Sequence, residues 1–394
     1  MSAPAPASPL RLLTVVGTRP DLVKLALVIE RLDAEPAFRQ RLLHTGQHYS
    51  YEMDAIFFAE LGLRAPDTAL QVGSQSHAGQ TAAILTGVEA ELLAEPADAL
   101  LVLGDTNSTL GAALAAAKLG VPVIHVEAGC RSHVRTMPEE INRVLVDHCA
   151  TLLLAPSTEA AANLRREGIA DTAVALVGST SIDAARRFVD KARGRPIVGE
   201  VCAALAAGDP AELTLCTVHR AENTEPEVLP DLLRGLERVA QRYPLCWPLH
   251  PRTRKVMEAL DLRVSPRIHL LPPLGYLDIL ALLCRVRALL TDSGGLQEEA
   301  YAVGTPVLLL RHETEWTYLV DSGCAALCGN REATIAPRAL ALLQADENRR
   351  MRAAAARYAS TAGDGHAAAQ IVTEMKRRLL KCAPQPGDHP AGRG

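Results

Sequence analysis

Short apolar runs alternate along this chain with longer stretches of helical pattern. Residues 12–16 run into Gly17 and residues 99–103 into Gly104, and similar runs are 121–126, 151–154, 173–177, 213–218, 245–249, 267–270, 288–291 and 306–310. Strands that are apolar throughout are typical of parallel sheets covered by helices on both faces. Because 394 residues exceed one ordinary core, the pattern predicts an α/β protein with two Rossmann-like, doubly wound domains.

We place these domains at residues 10–179 and 180–363, between disordered tails at 1–9 and 383–394. The formal net charge is −4, from 41 Lys and Arg against 45 Asp and Glu. That balance predicts neither nucleic acid nor a membrane surface as a partner. No run approaches the roughly 18 apolar residues that span a bilayer, and the N-terminal MSAPAPASPL lacks signal-peptide features. We therefore expect a cytoplasmic protein. Nine scattered cysteines without a CxxC pair indicate reduced thiols and no zinc site.

In the first half, polar residues collect in the loops that follow predicted strands. Arg19 and Lys24 bracket a predicted helix N-terminus, which favours anions, although both also suit an ordinary surface. Asp105 and Glu127 end consecutive strands, and Glu139 follows in the segment PEEINR. Carboxylates that meet at the carboxyl edge of a sheet suit general acid and base catalysis. Helix capping by Asp105 and a first-turn position for Glu139 are the structural alternatives.

The second half carries residues suited to phosphate binding. We expect Ser293 to be a helix N-cap, while Gly294 and Gly295 allow backbone N–H groups to approach a pyrophosphate. Basic side chains follow three other predicted strands, and they are His219, Arg220, His250 and Arg311. The Walker A and GxGxxG motifs are absent. This half is therefore predicted to bind a phosphate group without a metal.

Ten segments together carry a family resemblance, and they run from Gly17 to Arg311: GTRPDLVKL, TGQHYSYEMDAIFFAELGL, GDTNSTL, HVEAGCRS, MPEEINR, TVHRAEN, PLHPRTR, LGYLD, TDSGGLQEEA and GTPVLLLR. They resemble those of the non-hydrolysing UDP-N-acetylglucosamine 2-epimerases. That resemblance implies a glycosyltransferase-B-like pair of Rossmann domains with the active site in the cleft between them. It also implies a homodimer, and a helix at 364–380 that packs back on the first domain.

The implied reaction uses no metal and no NAD. A base removes the C2 proton of UDP-N-acetylglucosamine while UDP leaves C1, and UDP then adds back to the bound 2-acetamidoglucal to give UDP-N-acetylmannosamine. Matching motif positions imply that the catalytic residues are Asp105, Glu127, Glu139, His219 and Lys24. They also imply substrate binding by Arg19, Ser293, Gly294, Glu299 and Arg311, in which Ser293 and Gly294 hold the diphosphate and Glu299 the ribose. The residue pattern described above adds Arg220, His250 and Gly295 to this substrate-binding set.

Departures from the family pattern leave other substrates and outcomes open. Asp21 stands where the family usually has glutamate, and residues 314–318 read TEWTY where TERPE is common. A related ETEW segment is familiar among epimerases of UDP-2,3-diacetamido-glucuronate. Ser50 replaces a glutamate of members that the substrate activates. A hydrolysing relative that releases N-acetylmannosamine, a glycosyltransferase and a non-catalytic binding protein are the remaining alternatives.

Overall fold

The computed structural model describes residues 8–47, 57–358 and 365–380. They divide into two compact units: one runs to Thr180 and resumes at His366, and the other runs from Ser181 to Gly365. Of the predicted tails, only residues 8 and 9 lie in the described part, and Ser50 lies outside it.

The first unit is built on a parallel sheet of seven strands in the order β3-β2-β1-β4-β5-β6-β7. These strands are β1 Leu10–Val16, β2 Phe38–His44, β3 Thr68–Ala69, β4 Ala99–Leu103, β5 Val123–Val126, β6 Leu152–Ala155 and β7 Val174–Leu176. Among the described residues, the α-helices of this unit include Arg19–Ala34, His77–Ala94, Asn107–Lys118, Pro138–Cys149, Thr158–Arg166 and Ala367–Leu379. The last helix packs against the first, and Lys376 Nζ lies 2.8 Å from Glu35 Oε2.

The second unit is built on a parallel sheet of six strands in the order β10-β9-β8-β11-β12-β13. Its strands are β8 Thr214–Thr217, β9 Leu245–Pro248, β10 Ile268–Leu271, β11 Ala288–Thr291, β12 Val307–Leu309 and β13 Ala325–Leu327. Helix Thr180–Arg193 begins at the boundary, and the other α-helices are Ile197–Ala204, Leu229–Ala240, Pro251–Ala259, Tyr276–Leu283, Gly295–Ala302, Thr317–Asp321, Glu332–Leu342 and Ala345–Tyr358. In the part of the chain that the structure describes, the 3-10 turns are Asp171–Ala173, Pro210–Glu212 and Ala221–Asn223.

The predicted α/β class with two doubly wound parallel sheets is confirmed, and each predicted strand lies within two residues of an observed one. Strands β2, β3 and β13 were not predicted. In β2 the charged residues Arg39 and Arg41 interrupt the apolar run, although the buried half of the strand, Leu42 to His44, packs in the sheet as the others do. β3 and β13 have only two and three residues, so they carry too little pattern to detect.

Candidate active site

The ends of β4 and β5 bring Asp105 and Glu127 to the same edge of the first sheet. Leu103 pairs with Val126 in the parallel register, and the Gly104 amide donates to the Val126 carbonyl at 3.0 Å. A Cβ on Gly104 would lie 4.0 Å from Glu127 Oε1. Glu127 has a φ of +68°, a left-handed conformation that non-glycine residues seldom adopt and that clusters at functional sites.

Lys24 joins this edge through the carboxylate of Glu127. Its Nζ lies 2.9 Å from Oε1 and 2.7 Å from Oε2, and each side chain is only 11% exposed. The helix that carries Lys24 begins at Arg19 and is capped by Thr18, whose hydroxyl accepts from Asp21 N. Lys24 is therefore one turn into the helix, as expected, but it binds a carboxylate of the protein. Arg19, at the start of the same helix, is half-buried, with its guanidinium 4.3 Å from the centre of the Phe57 ring.

Asp105 is paired with a cation that the sequence analysis did not single out. Arg143 Nη2 donates to Asp105 Oδ2, and Asn142 Nδ2 donates to the Asp105 carbonyl at 2.8 Å. The capping alternative for Asp105 is wrong, because Thr106 caps the following helix and its hydroxyl accepts from Thr109 N. Arg143 lies three residues after Glu140 on the helix Pro138–Cys149 and pairs with it at 3.0 Å, so this spacing was a signal that could have identified it.

The two glutamates of the PEE segment have different environments. Glu140 is buried and accepts from the amides of Ser132 and His133, each at 2.9 Å, and from Arg143 at 3.0 Å. Burial disfavours its charge, but these bonds outweigh burial and hold the pKa of Glu140 below its ordinary value. Glu139 is exposed in the first helical turn. Its carboxylate is accessible to a ligand, and this position does not decide between a helix-stabilising and a catalytic role.

A buried network lies behind the loops of Asp105 and Glu127. Asp147 Oδ1 contacts His125 Nδ1 at 2.7 Å, while Oδ2 accepts from Gly129 N at 3.0 Å and from Arg131 Nη2 at 2.7 Å. The other ring nitrogen of His125 lies 2.8 Å from the carbonyl of Gly104. Both nitrogens of His125 therefore lie within hydrogen-bond distance of an oxygen atom. The network therefore fixes Gly104, which precedes Asp105, and Gly129, which lies two residues after Glu127.

In the second unit, Asp292 at the end of β11 organises the loop after β8. Its carboxylate accepts from the amides of His219 and Arg220 and from Asn223 Nδ2, at 3.0–3.1 Å. His219 Nδ1 also lies 3.1 Å from Asp292 Oδ1. Burial opposes ionisation of Asp292, but His219, the Arg220 amide and Asn223 outweigh it and lower the pKa of this carboxyl. His219 remains 40% exposed, so a ligand has access to its ring.

The predicted cap of the second-unit turn is wrong by one residue. The helix begins at Gly295, and its N-cap is Gly294, with φ −69° and ψ −51° and no side-chain cap bond. Ser293 lies one residue before the N-cap of this helix. Its amide donates to Thr291 Oγ1 at 2.9 Å. A Cβ on Gly295 would have no atom within 4 Å, so the backbone is open to a ligand there. Glu299 lies buried one turn into the helix.

Two predicted arginines meet at this turn through a glutamate that the sequence analysis left unassigned. Arg311 Nη1 lies 2.8 Å from Glu315 Oε2, and Arg220 Nη2 lies 3.3 Å from Glu315 Oε1. Gly294 adjoins the same carboxylate. His250 lies beside His219, with ring centres 5.6 Å apart, and its Nδ1 accepts from Arg252 N as the cap of helix Pro251–Ala259.

Across residues 8–47, 57–358 and 365–380, no group of three or more His, Cys, Asp or Glu side chains is arranged to hold a metal ion. In the same residues, no helix is both long enough and apolar enough to cross a bilayer.

Comparison with known proteins identifies the family. The family model described as UDP-N-acetylglucosamine 2-epimerase matches residues 30–376. A UDP-N-acetylglucosamine 2-epimerase of Methanococcus maripaludis is 41% identical over 80% of this chain and 87% of its own length. A UDP-2,3-diacetamido-2,3-dideoxy-D-glucuronate 2-epimerase of Pseudomonas aeruginosa is 40% identical over 81% and 88%.

A solved structure extends the similarity to the fold. The UDP-GlcNAc 2-epimerase of Methanocaldococcus jannaschii, in complex with UDP-GlcNAc and UDP, superposes with a TM-score of 0.84 at 35% identity and covers 93% of this chain and 100% of its own. The family match, the high coverage and the shared fold agree. The chain therefore belongs to the UDP-N-acetylglucosamine 2-epimerase family.

Proposed function

We propose that this protein is an isomerase that interconverts UDP-N-acetylglucosamine and UDP-N-acetylmannosamine by inverting C2 of the sugar. Membership of the family supports this activity. The observation that carries it is the edge of the first sheet, where Asp105 and Glu127 each hold a cation, Arg143 and Lys24 respectively. Removing a weakly acidic C2 proton and returning one to the opposite face requires more than one acid–base group at the same place.

The proposed reaction begins when a carboxylate of the first unit removes the C2 proton. The electron pair of that C–H bond becomes the C1–C2 double bond, and UDP leaves C1 with the electrons of the C1–O bond. An acid then returns a proton to C2 from the opposite face, and UDP re-forms the bond to C1. Asp105, Glu127 and Glu139 are the proposed proton carriers. Lys24 and Arg143 fix the first two in place and compensate their charge.

The second unit is the proposed UDP-binding unit. The amides of Gly294 and Gly295 lie at the start of the helix Gly295–Ala302, a position where the backbone stabilises negative charge, and Ser293 directly precedes them. His219, Arg220 and Arg311 add cationic or hydrogen-bonding groups for the diphosphate, together with Arg19 and His250. Glu299 is the proposed ribose ligand. A hydrogen bond from His219 to the leaving phosphate would assist the departure of UDP.

UDP-2,3-diacetamido-glucuronate is the second candidate substrate, and a specific segment favours it. Trp316 and Tyr318 stand where the common family pattern has an arginine and an acid. Trp316 Nε1 donates to the Gly294 carbonyl at 3.0 Å, and Tyr318 Oη donates to Glu298 Oε1 at 2.7 Å. The Pseudomonas relative is named for that substrate. Trp316 therefore contacts the proposed diphosphate turn and Tyr318 contacts the helix that follows it, and from there they can change which sugar is accepted.

Proton and phosphorus NMR of the protein with UDP-N-acetylglucosamine in D2O tests the proposal. We expect deuterium at C2 together with signals of UDP-N-acetylmannosamine, and neither with Asp105→Asn at the same concentration. Free N-acetylmannosamine with accumulating UDP would favour the hydrolysing alternative. No C2 exchange with this sugar, but exchange with UDP-2,3-diacetamido-glucuronate, would select the second substrate. No exchange with either would refute the epimerase proposal.

We also propose a homodimer, which the family resemblance implies, and a cytoplasmic location, which the sequence predicts. Light scattering coupled to gel filtration would give twice the chain mass of 42.1 kDa if the dimer forms. Cell fractionation would test the location.

A further inference from the structure

We propose that Glu315 is an internal anion that occupies the diphosphate turn in the ligand-free protein and sets how tightly that turn binds a diphosphate. The inference rests on the proposed function of the turn, because it names the group that an incoming diphosphate replaces. Glu315 lies on the loop between β12 and the helix Thr317–Asp321.

The contacts of Glu315 are those expected of a bound anion. Its carboxylate bridges Arg220 and Arg311, at 3.3 Å and 2.8 Å. It also packs on the turn itself, since a Cβ on Gly294 would lie only 2.4 Å from Glu315 Oε1. Gly294 is the N-cap of the helix Gly295–Ala302. Phosphate-binding sites commonly place the anion in this way, at a helix N-terminus and between guanidinium groups.

The site has more positive charge than Glu315 satisfies. Arg311 is buried, with a side chain 1% exposed, and its Nε and Nη2 have no hydrogen-bond partner among the residues that the structure describes. A buried guanidinium with unsatisfied N–H groups is costly unless another acceptor is supplied. A diphosphate has several oxygens that can accept from these groups, whereas one carboxylate has two.

Glu315 and a diphosphate therefore compete for the same groups. The Glu315 side chain is only 5% exposed, so its charge is poorly screened from an anion bound at Gly294. Binding would require the carboxylate to turn away from Gly294. A neutral side chain of the same shape at residue 315 would remove both the repulsion and the competing ion pairs. Anion binding should then become tighter, in contrast to the loss expected if Glu315 only positioned the two arginines for the ligand.

Isothermal titration with inorganic pyrophosphate and with UDP tests this inference. We expect Glu315→Gln to bind pyrophosphate about tenfold more tightly than the wild type, a change of about 1.4 kcal/mol. Glu313→Gln removes the same charge two residues away, and we expect its affinity to stay within about twofold. Pyrophosphate should also raise the Tm of Glu315→Gln more than that of the wild type. Equal or weaker pyrophosphate binding by Glu315→Gln would overturn the inference.

Two further results separate this inference from the proposed function. If the wild type binds UDP and Glu315→Gln binds it no more tightly, the role of Glu315 is refuted but the proposed function is not. Failure of wild type and variant alike to bind UDP or pyrophosphate would refute both. If Glu315→Gln does not fold, Glu315→Asp keeps the charge but shortens the side chain, so it cannot bridge both arginines. We then expect pyrophosphate affinity at least about threefold above wild type, and no gain would overturn the inference.

Discussion

Substitution of Asp147 by asparagine tests whether the buried network behind the two carboxylate loops holds the first unit together. Asp147 and its partners His125 and Arg131 have side chains that are at most 1% exposed. Removing one member of a buried ion pair typically costs about 3–5 kcal/mol. Arg131 retains Glu167, at 2.7 and 2.8 Å, and the Cys130 carbonyl. We therefore expect a smaller loss than this, about 2–3 kcal/mol.

That loss should be visible as a lower thermal transition. For a unit of this size, about 2–3 kcal/mol corresponds to a fall in Tm of about 5–10 °C, measured by circular dichroism. Glu167→Gln is the matched control, because Glu167 binds the same arginine but is 29% exposed, and its loss should cost about 1 kcal/mol or less. UDP affinity should be unchanged, since all the proposed UDP-binding residues except Arg19 belong to the other unit. A Tm of Asp147→Asn within about 2 °C of wild type would refute the reasoning.

The pH dependence gives a second check on the same variant. Burial raises the pKa of Asp147, but His125 and Arg131 outweigh burial and lower it below its ordinary value. The unfolded chain has a carboxyl pKa of about 3.9, so the charge of Asp147 stabilises the folded protein above that pH and ceases to do so as pH falls through the folded value. The difference in Tm between wild type and Asp147→Asn should be constant near neutral pH and shrink below about pH 4.

Three other substitutions follow from the structure. Asp105→Asn should lower C2 exchange by about 100-fold or more, the scale of general acid–base assistance, and should retain UDP affinity. The control is Asp171→Asn, which changes an exposed aspartate. Normal exchange in Asp105→Asn would exclude the proposed role of Asp105. Ser293→Ala should weaken UDP binding by about 1–2 kcal/mol in calorimetry, as for a lost hydrogen bond to a charged group, and unchanged affinity would contradict the placement of the diphosphate. Gly17→Ala should destabilise the protein by about 1–3 kcal/mol in urea unfolding, because its Cβ would lie 1.9 Å from Ser108 Oγ. Gly199→Ala, where a Cβ meets open space, should cause no loss, and equal midpoints for the two variants would count against the predicted clash.

The positions of the proposed site residues at strand ends could be predicted from the sequence, because each strand is a local apolar run followed by a polar loop. Asp105 and Glu127 were expected at one edge, and they lie there. The N-cap of the helix Gly295–Ala302 was predicted one residue too early, at Ser293 instead of Gly294. Which of the two residues is the cap depends on backbone angles, and the sequence pattern does not specify those angles. Arg143, Asp292 and Glu315 were not assigned, because their importance lies in partners that the sequence does not reveal.

The sequence alone determined the fold class and the family, since both depend on local patterns: apolar runs, glycine turns and short motifs in a fixed order. Only the tertiary structure decided which charges meet. Lys24 binds Glu127 from 103 residues away, and Arg143 binds Asp105 from 38 residues away. Such pairs depend on how strands and helices stack in space, and sequence separation carries no information about that distance. The same packing left Arg311 buried with unsatisfied N–H groups beside Glu315.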